Sequence, residues 1–225
     1  MDTPAPAVMV ATLSHALDVA GAPRRAPAPV LETYEAGIRD VAETGILDKV
    51  IKVGARAPEF ALPDAEGQIV ALSELTATGP VVLAWYRGRW CPYCNTQLKA
   101  YEARLPEFRA LGATVVALSP QKAEQSARTA EAGGLEFALL SDAASKVAES
   151  YGLRYTLPER LREAFKGRLN LAEFNAENPD ELPLAATIVV DRAGIVHAVW
   201  AEADYRNRAE PDDVLKVLRE LSEAR

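Results

Sequence analysis

The stretch WYRGRWCPYCNTQLK, residues 85–99, contains both cysteines of the 225-residue chain. It continues an apolar run, VVLAW at residues 81–85, which is typical of a strand buried on both faces. A turn-prone segment then leads to Cys91 and Pro92, and proline favours the first position of a helix. The sequence therefore predicts a strand, a turn and a helix that begins at Cys91.

Two residues separate the cysteines, so in a helix Cys94 lies one turn beyond Cys91 on the same side. A thiol at a helix N-terminus faces unpaired N–H groups and the positive end of the helix dipole, and both favour the thiolate. In such CxxC motifs the pKa falls to about 3.5–7.5, against about 8.5 for a free thiol. We therefore expect Cys91 to be the nucleophile and Cys94 to be the resolving thiol, which closes a disulfide with it.

A CxxC motif can also supply half of a zinc site or form a static disulfide. Structural zinc needs four Cys or His ligands, and the chain adds only His15 and His197, neither at a ligand-type spacing. A disulfide across so short a loop removes little entropy from the unfolded chain. A redox-active pair is favoured over both alternatives.

The composition is that of a globular protein with a net negative charge. Hydrophobic residues make up 49% of the chain and the net charge is −7, which disfavours attraction to phosphates, so we expect no nucleic-acid partner. No run approaches the roughly 20 apolar residues that span a bilayer, so we expect no membrane partner. The N-terminus lacks the basic cluster of a secretory signal, and two cysteines suit a reducing compartment. These features predict a cytoplasmic protein.

Residues 1–50 are predicted to form a helical extension and linker ahead of a main domain at 51–225. Helices are expected over residues 8–19 and 31–50, the second docked on the main domain or on a second subunit. Residues 154–183 are charged and carry three prolines, which indicates an insertion of short helices and loop. This insertion either shields the redox site or is a solvated connection.

Near the C-terminus, residues 187–190 and 195–200 flank a turn and predict a β-hairpin. Pro211 opens a final helix with a core-facing side. His197 lies in the hairpin, where a satisfied side chain explains it without a role in catalysis. The charged stretch DYRNRAEPDD, residues 204–213, is interpreted as a solvated surface.

The segment GARAPEFALPDAEGQIVALSEL, which precedes the strand and the motif YRGRWCPYC, resembles the alkyl hydroperoxide reductase/thiol-specific antioxidant family, in its peroxiredoxin-like branch. The resemblance continues through ATVVALS at 113–119 and SDAASKVAESYGL at 141–153, and covers residues 52 to 223. It implies an α/β, thioredoxin-like fold with a central mixed sheet and helices on both faces.

The resemblance also implies a thiol peroxidase. The Cys91 thiolate would attack a peroxide and become a sulfenic acid, and Cys94 would condense with it to a disulfide. A thioredoxin-like dithiol or glutathione would reduce the disulfide, so ping-pong kinetics are expected. No metal or organic cofactor is required, and the family together with the helical extension suggests a homodimer.

The departing peroxide oxygen needs nearby positive charge, and Arg87 and Arg89 are the nearest candidates in the sequence. Each could also stabilise the thiolate; the alternative is that both are ordinary exposed arginines. Peroxiredoxins usually place a Thr or Ser three residues before the nucleophile and a proline four residues earlier. Counted from Cys91, those positions hold Gly88 and Ala84.

A second hypothesis is a dithiol–disulfide oxidoreductase, because RWCPYC also resembles the active-site motifs of thioredoxins and glutaredoxins. The late strand carries Ala185 where peroxiredoxins have an arginine and thioredoxins a cis-proline. In this function Trp90, Pro92 and Tyr93 would contact the partner, although Trp90 and Tyr93 could instead be core aromatics. A third hypothesis is a non-enzymatic redox sensor that uses the same disulfide to alter a partner interface.

Overall fold

The structure is a computed structural model and describes residues 13–20 and 27–223. In these residues the helices are α1 Leu13–Ala20, α2 Ala28–Glu43, α3 Ile46–Lys49, α4 Leu72–Thr78, α5 Pro92–Ala103, α6 Leu105–Ala110, α7 Ala123–Gly133, α8 Lys146–Ser150, α9 Glu159–Phe165 and α10 Pro211–Glu223. The strands are β1 Ala61–Pro63, β2 Ile69–Ala71, β3 Val81–Trp85, β4 Thr114–Ser119, β5 Ala138–Ser141, β6 Arg154–Thr156, β7 Glu181–Pro183, β8 Ala186–Val190 and β9 Val196–Ala201. None of these helices is long and apolar enough to cross a membrane.

A five-stranded sheet in the order β5-β4-β3-β8-β9 forms the centre of the molecule. β3, β4 and β5 are parallel, whereas β8 runs antiparallel to β3 and pairs with β9 as a hairpin. Every residue of β3 and of β8 is buried, as expected for apolar strands covered on both faces. The predicted mixed sheet and the predicted C-terminal hairpin are confirmed.

Alternate residues of β3 enter two different cores. Val82 and Ala84 pack with α5 and α10, whereas Leu83 and Trp85 pack on the opposite face with residues of α2, α3 and α8. This two-residue alternation is the geometry of a strand between two layers of helices. The predicted fold class is confirmed.

The N-terminal helices dock on the chain's own main domain. α1 buries Leu13 and Leu17 in the core beside α5, and the Glu210 carboxylate accepts the N–H groups of Leu13 at 2.9 Å and Ser14 at 2.7 Å. Of the helix predicted at residues 8–19, the part before Leu13 lies outside the described residues. The second predicted helix is present as α2 and α3, and the domain boundary at residue 50 stays a prediction.

Residues 154–183 have more order than the predicted insertion of short helices and loop. They contain α9, a 3-10 helix at Leu171–Glu173, and the antiparallel pair β6 and β7, which was not predicted. Their buried leucines form a small separate core, against which Tyr34 and Trp90 pack. This segment therefore connects α2 to the loop that carries the cysteines.

Candidate redox site

The two cysteines lie where β3 passes into α5. β3 ends at Trp85, Cys91 is the N-cap of α5 and Pro92 occupies its first turn, so the predicted strand, turn and helix are confirmed. Within the turn, the Cys91 N–H donates to the Gly88 carbonyl at 3.0 Å. The turn depends on Gly88, whose φ of +147° is a conformation that other residues rarely adopt.

Both thiols are free and fully buried. A guanidinium N–H of Arg87 donates to Cys91 Sγ at 3.1 Å, and the Arg87 backbone N–H donates to Cys94 Sγ at 3.3 Å. Arg208 reaches Cys94 Sγ from the loop before α10, with Nη2 at 3.5 Å. Each sulfur is therefore faced by a guanidinium.

The Arg87 side chain is buried without an acidic partner. The residue is 4% exposed, and its guanidinium carbon lies 3.7 Å from the ring centroid of Tyr205 and 5.1 Å from that of Trp90. It forms no ion pair with a carboxylate of the described residues. Because a buried charge is costly unless it is paired, a thiolate on the cysteine pair is the natural counter-charge.

Arg208 is positioned by hydrogen bonds to its own loop and to Gln97 on α5, which in turn bonds to β8. Its Nε donates to the Tyr205 carbonyl at 2.6 Å and its Nη1 donates to Gln97 Oε1 at 2.8 Å. Gln97, on α5, donates in turn to Thr187 Oγ1 on β8 at 3.2 Å. The interpretation of residues 204–213 as a solvated surface is therefore wrong for Tyr205 and Arg208, because the loop folds back over the start of α5.

The pKa of Cys91 is raised and the pKa of Cys94 is lowered, whereas the sequence predicted a lowered pKa at Cys91. Burial raises the pKa of Cys91, and its hydrogen bond to Cys94 raises it further. Burial also raises the pKa of Cys94, but the hydrogen bond from Cys91 and the charges of Arg208 and Arg87 outweigh burial and hold it well below the usual value. The expected low pKa at Cys91 is wrong, because burial raises its pKa and the hydrogen bond between the two thiols favours the thiolate at Cys94.

The structure brings Arg87 to the sulfurs but not Arg89. Arg89 is exposed, and only its backbone contributes to the site, through an N–H that donates to Gln121 Oε1 at 2.6 Å. Gln121 also donates to the Tyr86 hydroxyl at 3.1 Å and so ties the cysteine loop to the end of β4. Arg89 therefore has a backbone role in the loop.

Of the three predicted partner-contact residues, two are packed inside the molecule. Trp90 is half-buried, with its ring 5.8 Å from that of Phe165, and Tyr93 is buried 5.5 Å from the ring of Tyr205. Pro92 is exposed. The structure thus favours the core-aromatic interpretation for Trp90 and Tyr93.

The chain has two histidines. His197 is paired with Asp191 at 2.8 Å, which agrees with the expected satisfied side chain, and the side chain of His15 lies outside the described residues. No group of three or more His, Cys, Asp and Glu side chains arranged to hold a metal ion occurs in the described residues.

Sequence reasoning missed Arg208, Gln97 and Tyr205. Arg208 is 114 positions from Cys94, and only the sheet order brings the two together. The signal in the sequence was weak: two arginines in the charged loop that follows the hairpin, which is also a common surface pattern.

A CxxC pair at the helix that follows the central strand of a mixed sheet, with two guanidiniums on its sulfurs, defines a thiol redox protein of thioredoxin-like fold. Residues 53–199 match the AhpC/TSA family. Peroxiredoxin Q of Triticum aestivum is 29% identical over 201 residues, which are 88% of this chain and 80% of the relative. Peroxiredoxin Q of Sedum lineare is 31% identical over 183 residues, 80% of this chain and 83% of the relative.

Among solved structures, peroxidoxin BcpB from Mycobacterium tuberculosis superposes with a TM-score of 0.60 at 26% identity. The match covers 76% of this chain and 98% of that one. The chain belongs to the AhpC/TSA family.

Proposed function

We propose that this chain is a thiol peroxidase that reduces hydrogen peroxide or organic hydroperoxides through Cys91 and Cys94. The observation that carries the proposal is the buried Arg87, which donates to both sulfurs, from its guanidinium to Cys91 Sγ at 3.1 Å and from its backbone N–H to Cys94 Sγ at 3.3 Å, and which has no carboxylate partner in the described residues. Such a cation stabilises a thiolate in the resting protein and the negative oxygen that leaves when the O–O bond breaks.

Cys94 is the proposed attacking thiolate. Its sulfur attacks the terminal peroxide oxygen, an S–O bond forms, the O–O bond breaks, and the leaving alkoxide or hydroxide takes the proton of the Cys91 thiol. The Cys91 thiolate then attacks the sulfenic sulfur, which forms the disulfide and releases hydroxide that solvent protonates to water. Overall, two thiols are oxidised to a disulfide. An organic hydroperoxide is reduced to an alcohol and water, and hydrogen peroxide is reduced to two molecules of water.

The family pattern supports this assignment. Peroxiredoxins usually have a Thr or Ser three residues before the nucleophile, and counted from Cys94 that position is Cys91. A thiol, like a hydroxyl, can donate a hydrogen bond to the neighbouring thiolate. Arg87 then stands where the proline is usual.

The return to the dithiol uses an external thioredoxin-like dithiol or glutathione. This step requires the start of α5 to open, because both sulfurs are fully buried. The dithiol–disulfide oxidoreductase would require this opening in both halves of its cycle, whereas the peroxidase requires it only for reduction of the disulfide by another molecule.

The test mixes fully reduced protein with hydrogen peroxide and follows oxidation by stopped flow and intact mass. We expect thiol loss far faster than that of a free thiol, with the mass of the intramolecular disulfide as the product. Arg87→Met should slow the reaction by about tenfold or more, since hydrogen bonds to charged groups contribute about 1.5–3 kcal/mol. Oxidation no faster than a free thiol, with ready reduction of a model disulfide, would show the oxidoreductase instead.

A further inference from the structure

The helix α1 packs against α5, the helix that carries the cysteines, more extensively than any other described helix does. Leu13 and Leu17 lie four residues apart, so they share one face of α1. Both leucines are buried in the core that also contains Cys91 and Cys94. The helix lies outside residues 53–199, which match the AhpC/TSA family. The chain therefore places a segment from outside the family match against its redox helix.

Three consecutive residues of the loop 204–210, between β9 and α10, connect α1 to the cysteine pair. Arg208 reaches Cys94 Sγ at 3.5 Å, and the Ala209 carbonyl accepts a tyrosine hydroxyl of α5 at 3.1 Å. The Glu210 carboxylate accepts the N–H groups of the first two residues of α1. Because these contacts follow one another along the chain, displacement of α1 loosens the loop next to the arginine that faces the sulfur.

The contacts that hold α1 in place are few and can break together. Leu13 and Leu17 are its buried side chains among those described, and its described side-chain hydrogen bonds to the rest of the chain all go to Glu210. A helix of eight residues is unstable by itself in water, so α1 depends on being docked. It pairs with no strand of the described residues, so its release requires no change in the central sheet.

We propose that α1 is a releasable strap: docked, it keeps the loop 204–210 closed over the cysteine pair, and its release admits the dithiol that reduces the disulfide. Both sulfurs are fully buried, so a protein reductant reaches neither of them while the site is closed. The inference rests on the proposed function, because it concerns the step that returns the disulfide to the dithiol. Oxidation by a small peroxide proceeds with α1 docked. The strap therefore controls how fast the protein is reset.

The first test measures how fast N-ethylmaleimide alkylates the two thiols of the reduced protein, which requires opening but no peroxide. Leu17→Ala should raise this rate by about tenfold or more, because truncation of a buried leucine shifts an equilibrium at least that far. Glu210→Ala should raise it by about fivefold, the usual effect of a lost helix cap.

Leu72→Ala is the matched control for this test. It truncates a buried leucine of α4, which belongs to the core on the opposite face of the sheet, so the alkylation rate should stay as it is. The control separates release of α1 from a general loss of stability. An unchanged rate in Leu17→Ala, or an equal increase in Leu72→Ala, would overturn the strap.

A second measurement separates this inference from the proposed function. The disulfide form is prepared with diamide and reduced with thioredoxin, and Leu17→Ala should accelerate this reduction by about tenfold or more, since the reactive fraction sets the apparent rate. Oxidation of the reduced protein by hydrogen peroxide should stay as it is in the natural protein. Faster alkylation and reduction in a protein that peroxide oxidises no faster than a free thiol would support the strap and overturn the peroxidase. Fast peroxide oxidation with no change in alkylation or reduction would leave the peroxidase and overturn the strap.

Discussion

Arg87 and Gly88 are adjacent in the turn before α5. The side chain of Arg87 points into the protein, whereas position 88 has no room for a side chain. Arg87 turns its guanidinium inward to Cys91, while its backbone N–H serves Cys94. Gly88 then takes a backbone conformation that leaves no room for a side chain, because a Cβ there would lie 2.5 Å from Trp90 Nε1. This turn therefore requires glycine at position 88.

Gly88→Ala should lower the free energy of unfolding by about 1–3 kcal/mol, the cost of a residue held in a sparsely populated conformation, with the clash on Trp90 added. Urea denaturation measures the loss. Gly67→Ala is the matched control, since Gly67 also has positive φ, at +82°, but a Cβ there meets nothing within 4 Å. Equal losses in the two variants would contradict the steric part of this explanation.

Arg208→Met should raise the pKa of the Cys94 thiol, because it removes a positive charge from the thiolate's surroundings. In the natural protein the thiolate persists below about pH 8.5, where an ordinary thiol is protonated, and is lost only as the pH falls through the lowered pKa. In the variant this loss occurs at higher pH. The variant therefore holds less thiolate than the natural protein at any pH below both pKa values.

Thiolate absorbance in the ultraviolet, followed against pH, measures this change in pKa, and the pH profile of peroxide consumption should move with it. Arg89→Met is the control, because the exposed Arg89 side chain makes no contact with either sulfur. A pH profile unchanged by Arg208→Met would show that Arg208 does not stabilise the Cys94 thiolate.

At the scale of elements, the contact between α2 and α9 joins the N-terminal helices to residues 154–183. Asp40 on α2 pairs with Arg160 on α9 at 2.5 Å, and Glu35 pairs with Arg206 at 2.5 Å beyond the hairpin. Between them the two helices approach closely at Gly37, where a Cβ would overlap the side chain of Leu161. Sequence periodicity predicted α2 but not its packing against α9. The packing role of Gly37 can be recognised only when the position of Leu161 is known.

Gly37→Ala should therefore destabilise the contact of α2 with α9, even though alanine favours a helix by about 1 kcal/mol over glycine. Hydrogen exchange should show faster opening of α9 in the variant. Leu161→Ala alone should also destabilise the protein, by about 2–5 kcal/mol for a buried leucine. The double variant should lose less than the sum of the two single losses, and strict additivity would contradict direct contact.

At the scale of the molecule, the sheet order assembles the site from distant segments. The strand–CxxC–helix unit, the mixed sheet and the C-terminal hairpin follow from local apolar patterns and turn residues, and the sequence predicts them. The position of Arg208 depends on how the loop after the hairpin packs on α5, and the contact at Gly37 depends on how α2 packs on residues 154–183. The pKa order of the two thiols depends on the hydrogen bond between them and on the positions of Arg87 and Arg208, which neither spacing nor propensity specifies.

The most direct test of the account compares the reduced single variants Cys91→Ser and Cys94→Ser in one turnover with hydrogen peroxide, read by intact mass with a sulfenic-acid trap. We predict that Cys91→Ser still reacts faster than a free thiol and stops at a trapped Cys94 sulfenic acid, because it retains the Arg87 and Arg208 donors to Cys94. Cys94→Ser should react no faster than a free thiol. Fast oxidation of Cys91 in Cys94→Ser, with an inert Cys94 in the other variant, would contradict the account.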